Sequence, residues 1–147
     1  MSENNTVKTS SGFTDAEREA MQQRAAELRS ERGGNKKADN LQATLDAIAA
    51  MPDSDRQVAE RVHAIILRDA PHLLPKTWYG MPAYADGNDV ICFFQAADKF
   101  DSRYATLGFN DKAQLDNGDM WPTAFAITAW TETVADRVVE LVSNATN

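Results

Sequence analysis

Three groups of side chains in this chain could do chemistry, and each has a competing reading in plain packing. The first would be a nucleophile with a base. The chain holds one cysteine, Cys92, and two histidines, His63 and His72. Cys92 sits inside the apolar run Val90-Ile91-Cys92-Phe93-Phe94, where a thiol behaves as a small hydrophobe and the reactive thiolate is disfavoured. His63 follows the apolar Val62, and His72 lies beside Pro71. No Cys-x-x-Cys or His-Glu-x-x-His spacing offers a zinc site, and neither a glycine-rich phosphate loop nor Gly-x-Ser-x-Gly is present. These residues give enzyme activity no positive support.

The second group would be a hard-metal site. Carboxylates recur as Asp86 and Asp89, Asp98 and Asp101, and Asp111, Asp116 and Asp119. Carboxylate oxygens suit ferrous iron, calcium or magnesium. Asp-Gly and Asn-Gly are also what tight turns demand, and the calcium-loop spacing is absent. Asp98, Asp101, Asp111, Asp116 and Asp119 therefore stand as weak metal candidates.

The third group is aromatic. Trp78, Tyr79, Tyr84, Phe94, Tyr104 and Trp121, with Met81, Lys99 and Arg103, could line an apolar pocket with a few polar groups. The same residues could form a core in which each Trp and Tyr keeps one polar atom satisfied. On the pocket reading, Trp78 joins two halves of the chain and the Tyr84 hydroxyl reaches a partly open cleft. That cleft is floored by Phe93-Phe94 and rimmed by Lys99 and Arg103, which suits an anionic or amphipathic small molecule.

Composition narrows the partners. A chain of 147 residues, 43% hydrophobic and 25% charged, suits one domain with its own core. The net charge is −7. From Lys76 onward the chain holds ten acidic side chains against five basic ones. Nucleic acid, whose phosphates need a basic face, is not expected. No apolar run approaches the roughly 18 residues of a membrane span, and no signal peptide is visible. The lone cysteine fits a reducing cytoplasm.

The elements that must position these residues follow from the order of the chain. Residues 1–12 read as a disordered tail. Thr14-Asp15-Ala16-Glu17 fits a capping box, opening a charged helix to about Arg32 that Gly33-Gly34 ends. Its apolar stripe, Met21, Ala25 and Leu28, is thin, so this extension over residues 13–34 is expected to bury little. A second helix over about 37–51 carries Leu41, Leu45 and Ile48 on one face, and Pro52 stops it. A third, over about 54–69, is capped by Asp53 or Ser54 and buries Val58, Val62, Ile65 and Ile66.

From Thr77 the period changes. Trp78 to Tyr84 gives short extended pieces around a Gly80-Met81-Pro82 break, and Asp86-Gly87-Asn88-Asp89 makes a hairpin turn. The run from Val90 to Phe94 reads as a central strand. In the strand from Arg103 to Phe109, the side chains of Ala105, Leu107 and Phe109 point one way, and Tyr104 and Thr106 the other. Asp116-Asn117-Gly118-Asp119 turns the chain into a strand at Thr123–Thr128. Thr131 or Thr133 then caps a last helix with Val134, Val138, Leu141 and Val142 inside. The fold class is α+β: a largely antiparallel sheet of four to five short strands, packed with N-terminal helices and a C-terminal helix, in a single domain over 35–147.

Several motifs in this order carry a resemblance. Trp78-Tyr79-Gly80-Met81-Pro82-Ala83-Tyr84, the Phe93-Phe94 strand, Tyr104-Ala105-Thr106-Leu107-Gly108-Phe109 and Leu115 to Thr123 together resemble the YdhG-like family of small bacterial proteins, over roughly residues 37–145. The resemblance implies the same α+β fold. Some relatives are described as frataxin-like iron chaperones, so it also implies a non-enzymatic iron-binding protein with iron weakly bound. The branch so described has a different C-terminal strand pattern, where this chain reads Trp-Pro-Thr-Ala-Phe-Ala. The alternative is a small-molecule-binding domain built on Trp78, Tyr84 and Trp121.

Overall fold

The computed structural model describes residues 12–30 and 36–147. The expected tail and the Gly33-Gly34 helix stop lie outside the described residues, apart from Gly12. Helix α1 spans Asp15–Ser30, α2 Lys36–Ala49 and α3 Asp53–Asp69. Strands β1 (Leu74–Trp78), β2 (Met81–Asp86), β3 (Asp89–Gln95), β4 (Ala105–Phe109) and β5 (Ala124–Ile127) follow, and helix α4 (Glu132–Ala145) closes the chain. A 3-10 helix at Ala97–Phe100 links β3 to β4. The five strands form one antiparallel meander in the order β1-β2-β3-β4-β5, as an α+β sequence of consecutive strands joined by turns requires.

The capping box closes as its residue types dictate. The Glu17 backbone N–H donates to Thr14 Oγ1 at 3.0 Å, and the Thr14 N–H donates to the Glu17 carboxylate at 2.9 Å. At α4, the Val134 N–H donates to Thr131 Oγ1 at 3.2 Å, so Thr131 is the cap. Helix α3 has no side-chain cap. Pro52 occupies that position, and neither Asp53 nor Ser54 does the work expected of it. Asp55, one residue further, is buried instead. Its carboxylate accepts from the N–H groups of Ala97 (2.9 Å) and Asp98 (3.2 Å), capping the 3-10 helix 42 residues away.

Strand alternation sorts side chains onto two faces. One face carries Tyr84, Cys92, Phe94, Leu107, Phe109 and Ile127. These join Val58, Val62, Ile65 and Ile66 of α3 and Val138, Leu141 and Val142 of α4 in a single core cluster. Burial of aliphatic and aromatic area of this kind dominates stability. Helix α2 packs along β1 and β2, with only Ile48 of the expected face turned inward. Thr44 and Ile48 are buried, while Leu41 and Leu45 are each 39% exposed. Thr44 can turn inward because its hydroxyl donates back to the Asn40 carbonyl at 2.8 Å, leaving no orphaned polar atom.

The opposite face of the sheet carries Trp78, Met81, Ala83, Phe93 and Gln95, as the pairs Trp78↔Met81 and Ala83↔Phe93 require. Across from Phe93 stands Gly108. A Cβ there would meet the Phe93 ring at 2.2 Å, so the ring lies where only glycine leaves room. Helix α1 contributes nothing to the main core cluster and instead lies across the β1–β2 turn.

Candidate aromatic cleft

The Lys76–Tyr84 stretch is a two-residue hairpin. Tyr79 and Gly80 connect Trp78 to its partner Met81, with φ of 53° and 78°. Positive φ at both central residues matches the type I′ turn that suits the twist of paired strands. Asparagine or glycine usually fills its first position, and a tyrosine there is strained by roughly 1–2 kcal/mol. Something must hold it. Glu27 of α1 does so, its carboxylate accepting from the Tyr79 N–H at 3.1 Å and the Gly80 N–H at 3.0 Å. Consecutive turn N–H groups form a ready anion cradle, and a largely buried carboxylate fills this one. Arg24 supports it, 3.5 Å from Glu27 and 5.9 Å over the Tyr79 ring.

Pinning the turn sets the aromatic rings. Trp78 meets Tyr79 edge-on at 5.0 Å between centroids and Phe93 at 5.2 Å, within the favourable range for aromatic pairs. With Met81 and Phe100 they form one wall of a cleft of about 380 Å³. Phe13, Ala20 and Met21, from α1 and the residue leading into it, form the other wall. Its polar side-chain groups are the Gln95 amide, the Glu17 carboxylate, the Trp78 indole N–H and the Tyr79 hydroxyl. Glu17 is already engaged in the capping box. The Gln95 amide can both donate to and accept from a guest, in a concavity within the usual size range of ligand sites.

The aromatic residues expected to converge are divided by the fold. Trp78, Tyr79 and Met81 share the cleft. Tyr84 does not. It is 1% exposed in the core, and its hydroxyl lies 2.7 Å from His63 Nδ1. Burial pushes the Tyr84 pKa up and the His63 pKa down, so a neutral phenol and a neutral imidazole share this hydrogen bond, its direction set by the imidazole tautomer. The expected open cleft at Tyr84 is therefore replaced by a closed, satisfied pair. Phe94, also 1% exposed, faces the core, so Phe93 rather than Phe94 floors the cleft. Lys99 lies in a neighbouring cleft with Met81 and Phe94, donating to Gln23 at 3.1 Å. Its pKa is lowered by partial burial, against the opposing charges of Glu19 and Glu27. Arg103 is exposed and stacks over Tyr104 at 5.5 Å. Trp121 lines a different cleft beside α4.

Among the described residues the cleft lacks the expected rim of basic groups, and with it the reason to expect an anionic ligand. Cys92 is buried, its thiol pKa pushed up to about 12 by burial, and it behaves as core. The acidic candidates scatter. Asp98 borders the Lys99 cleft, Asp111 a loop groove and Asp116 the α4 cleft, while Asp101 and Asp119 are exposed. Among the described residues, no three His, Cys, Asp or Glu side chains gather where a metal ion could be held.

Phe93 was expected on the cleft floor together with Phe94, whereas Phe100, Phe13, Met21 and Gln95 are cleft residues that the sequence did not single out. Strand alternation, applied to Phe93 and Phe94, was the available signal for separating those two and for Gln95. Nothing local signals the contribution of Phe13 and Met21, which depends on where α1 docks. Among the described residues, no helix is long and apolar enough to cross a membrane. No family model matches the chain, and neither does any curated protein or solved structure.

Proposed function

We propose that this chain is a small-molecule-binding domain of the YdhG-like type, taking a flat, largely apolar guest between α1 and the outer face of the sheet. The observation that supports this reading is the cleft itself. Trp78, Phe93 and Phe100 face Phe13 and Met21 across a concavity whose surface is mostly apolar, with Gln95 placed to give direction. Apolar walls with a few placed polar groups are the usual make-up of such sites.

Iron chaperoning, the activity implied by the family resemblance, has less to rest on, because its candidate carboxylates are dispersed over several surfaces. The test is equilibrium dialysis with 2-naphthol, a flat aromatic with one hydroxyl for Gln95. The full chain should bind it saturably. The Met21→Trp variant, which fills the cleft from an exposed position on α1, should lose binding while keeping cooperative unfolding. Binding that survives the filled cleft would place the guest elsewhere and end this reading.

A further inference from the structure

The motif from Leu115 to Trp121 takes no part in the aromatic cleft. It lies on the opposite flank, where the loop before β5 meets the last turns of α4. The backbone N–H of Gln114 donates to the Ala145 carbonyl at 3.0 Å, tying the two together. Between them is a second cleft of about 460 Å³. Its chemistry is the reverse of the first. Half-buried Trp121 and Phe125 provide apolar surface. Phe125 is fixed by an edge-on contact with Phe109 at 6.0 Å and by the Arg137 guanidinium 5.7 Å over its ring.

The polar part of the lining is rich in primary amides: Gln114, Asn117, Asn144 and Asn147. Each amide side chain both donates and accepts. That is the complement of a hydroxyl group, which also does both. The charges do not favour an anion. Arg137 is the cationic group in the lining, and it is already held by Glu140 at 2.7 Å, with Asp116 a further acid at the same cleft. Local charge is therefore net negative, on a chain of net charge −7.

We infer that this cleft is a binding site for a neutral saccharide. A pyranose has one face of C–H groups, which packs on an aromatic ring such as Trp121. Its rim of hydroxyls needs donors and acceptors in alternation, which the amides supply. The site is separate from the Trp78 cleft, so neither depends on the other being occupied.

The experiment is a titration of the nitrogen-15-labelled full chain with cellobiose, with glucuronate and inorganic phosphate as anionic arms. The chain has three indole N–H reporters: Trp78, Trp121 and Trp130. Cellobiose should shift the Trp121 signal saturably and leave Trp78 in place, with phosphate producing no saturable shift and glucuronate binding more weakly. Asn144→Ala, an exposed change on α4, should weaken binding about tenfold, the equivalent of one hydrogen bond. Trp121→Ala should abolish it. A still Trp121 signal, a matching response to phosphate, or unchanged affinity in Asn144→Ala would each overturn the assignment. The Asn144 variant keeps the test decisive even if Trp121→Ala fails to fold.

Discussion

The Glu27 carboxylate accepts from the backbone N–H of Tyr79 at 3.1 Å, joining α1 to a turn 52 residues away. It does the same for Gly80, so one side chain satisfies both outward-facing donors of a strained hairpin. Helix α1 is thus held by polar pins rather than by burial. Ala20 is its one buried hydrophobic residue, while Met21 and Leu28 are 39% and 44% exposed.

The first prediction follows from that division of labour. Glu27→Ala should cost about 1–3 kcal/mol, the range for removing a partner from paired polar groups. Amide exchange at Tyr79 and Gly80 should quicken, with the α3 and α4 amides unchanged. Glu27→Gln keeps one acceptor oxygen and should lose roughly half as much. Deleting residues 1–34 should leave cooperative thermal unfolding, because the main core cluster contains no α1 residue. Non-cooperative melting of the deletion would mean that α1 belongs to the folding unit.

Gly80 gives a sharper test of the same contact. Its φ is 78°, and a Cβ there would lie 1.9 Å from Gln23 Oε1 and 3.0 Å from Lys99 Nζ. Gly80→Ala should therefore strain the turn and displace the Gln23–Lys99 hydrogen bond together. We expect a loss of about 1–2 kcal/mol from the left-handed backbone alone. A crystal structure of the variant should show the Gln23 side chain moved. Gly87→Ala, also left-handed at 62° but with nothing near its Cβ, should show the backbone cost without any effect on α1.

Tyr84 and Trp78 should behave oppositely to the expectation drawn from their positions in the sequence. Tyr84→Ala removes a fully buried, hydrogen-bonded ring and should cost roughly 3–5 kcal/mol. Trp78, half-buried on the cleft wall, should cost less. Tyr84→Phe should cost about 1 kcal/mol through the lost bond to His63. Denaturant unfolding of the three variants orders them.

His63 adds a pH dependence. Its folded pKa is lowered from 6.5 by burial, so below that value the unfolded chain binds the proton more readily than the folded one. The contribution to stability is complete above pH 6.5 and declines as pH falls from there toward the folded pKa. A urea midpoint that drops between neutral and mildly acidic pH in the parent chain, and drops less in His63→Phe, is the expected outcome. Equal slopes in both proteins would assign the acid sensitivity to other groups.

Much of the fold was legible because its signals are local. The Thr14–Glu17 box, the Val58-Val62-Ile65-Ile66 stripe and the 86–89 turn each depend on residues within a few positions of one another. The α2 face was legible at Ile48 but misread one turn earlier, because Leu41 and Leu45 outweigh Thr44 on any hydrophobicity scale. Only the Asn40 carbonyl makes the threonine acceptable inside. The site was legible in part. Trp78, Tyr79 and Met81 are near neighbours in sequence and stay together. Tyr84 and Phe94 were placed in the cleft, but strand alternation turns them into the core. Trp121 was grouped with Trp78 by residue type alone, but it lies in the β4–β5 connection and lines the cleft beside α4, not the one at the β1–β2 turn. Glu27 and Asp55 hold backbone groups more than 40 residues away, a pairing that no spacing rule could supply.

The claim that α1 and the outer sheet face enclose a ligand site is tested most directly by the Trp78 indole N–H signal during a titration with 2-naphthol. The account predicts a saturable shift at Trp78, with matching changes at the Phe93 and Phe100 rings and the Gln95 side-chain amide, while Trp121 and Trp130 stay in place. It also predicts that Gln95→Ala weakens binding about tenfold, as the loss of one hydrogen bond should. A Trp78 signal that does not move, or one that drifts linearly along with all three indoles, would contradict the account and leave the aromatic cleft as surface packing.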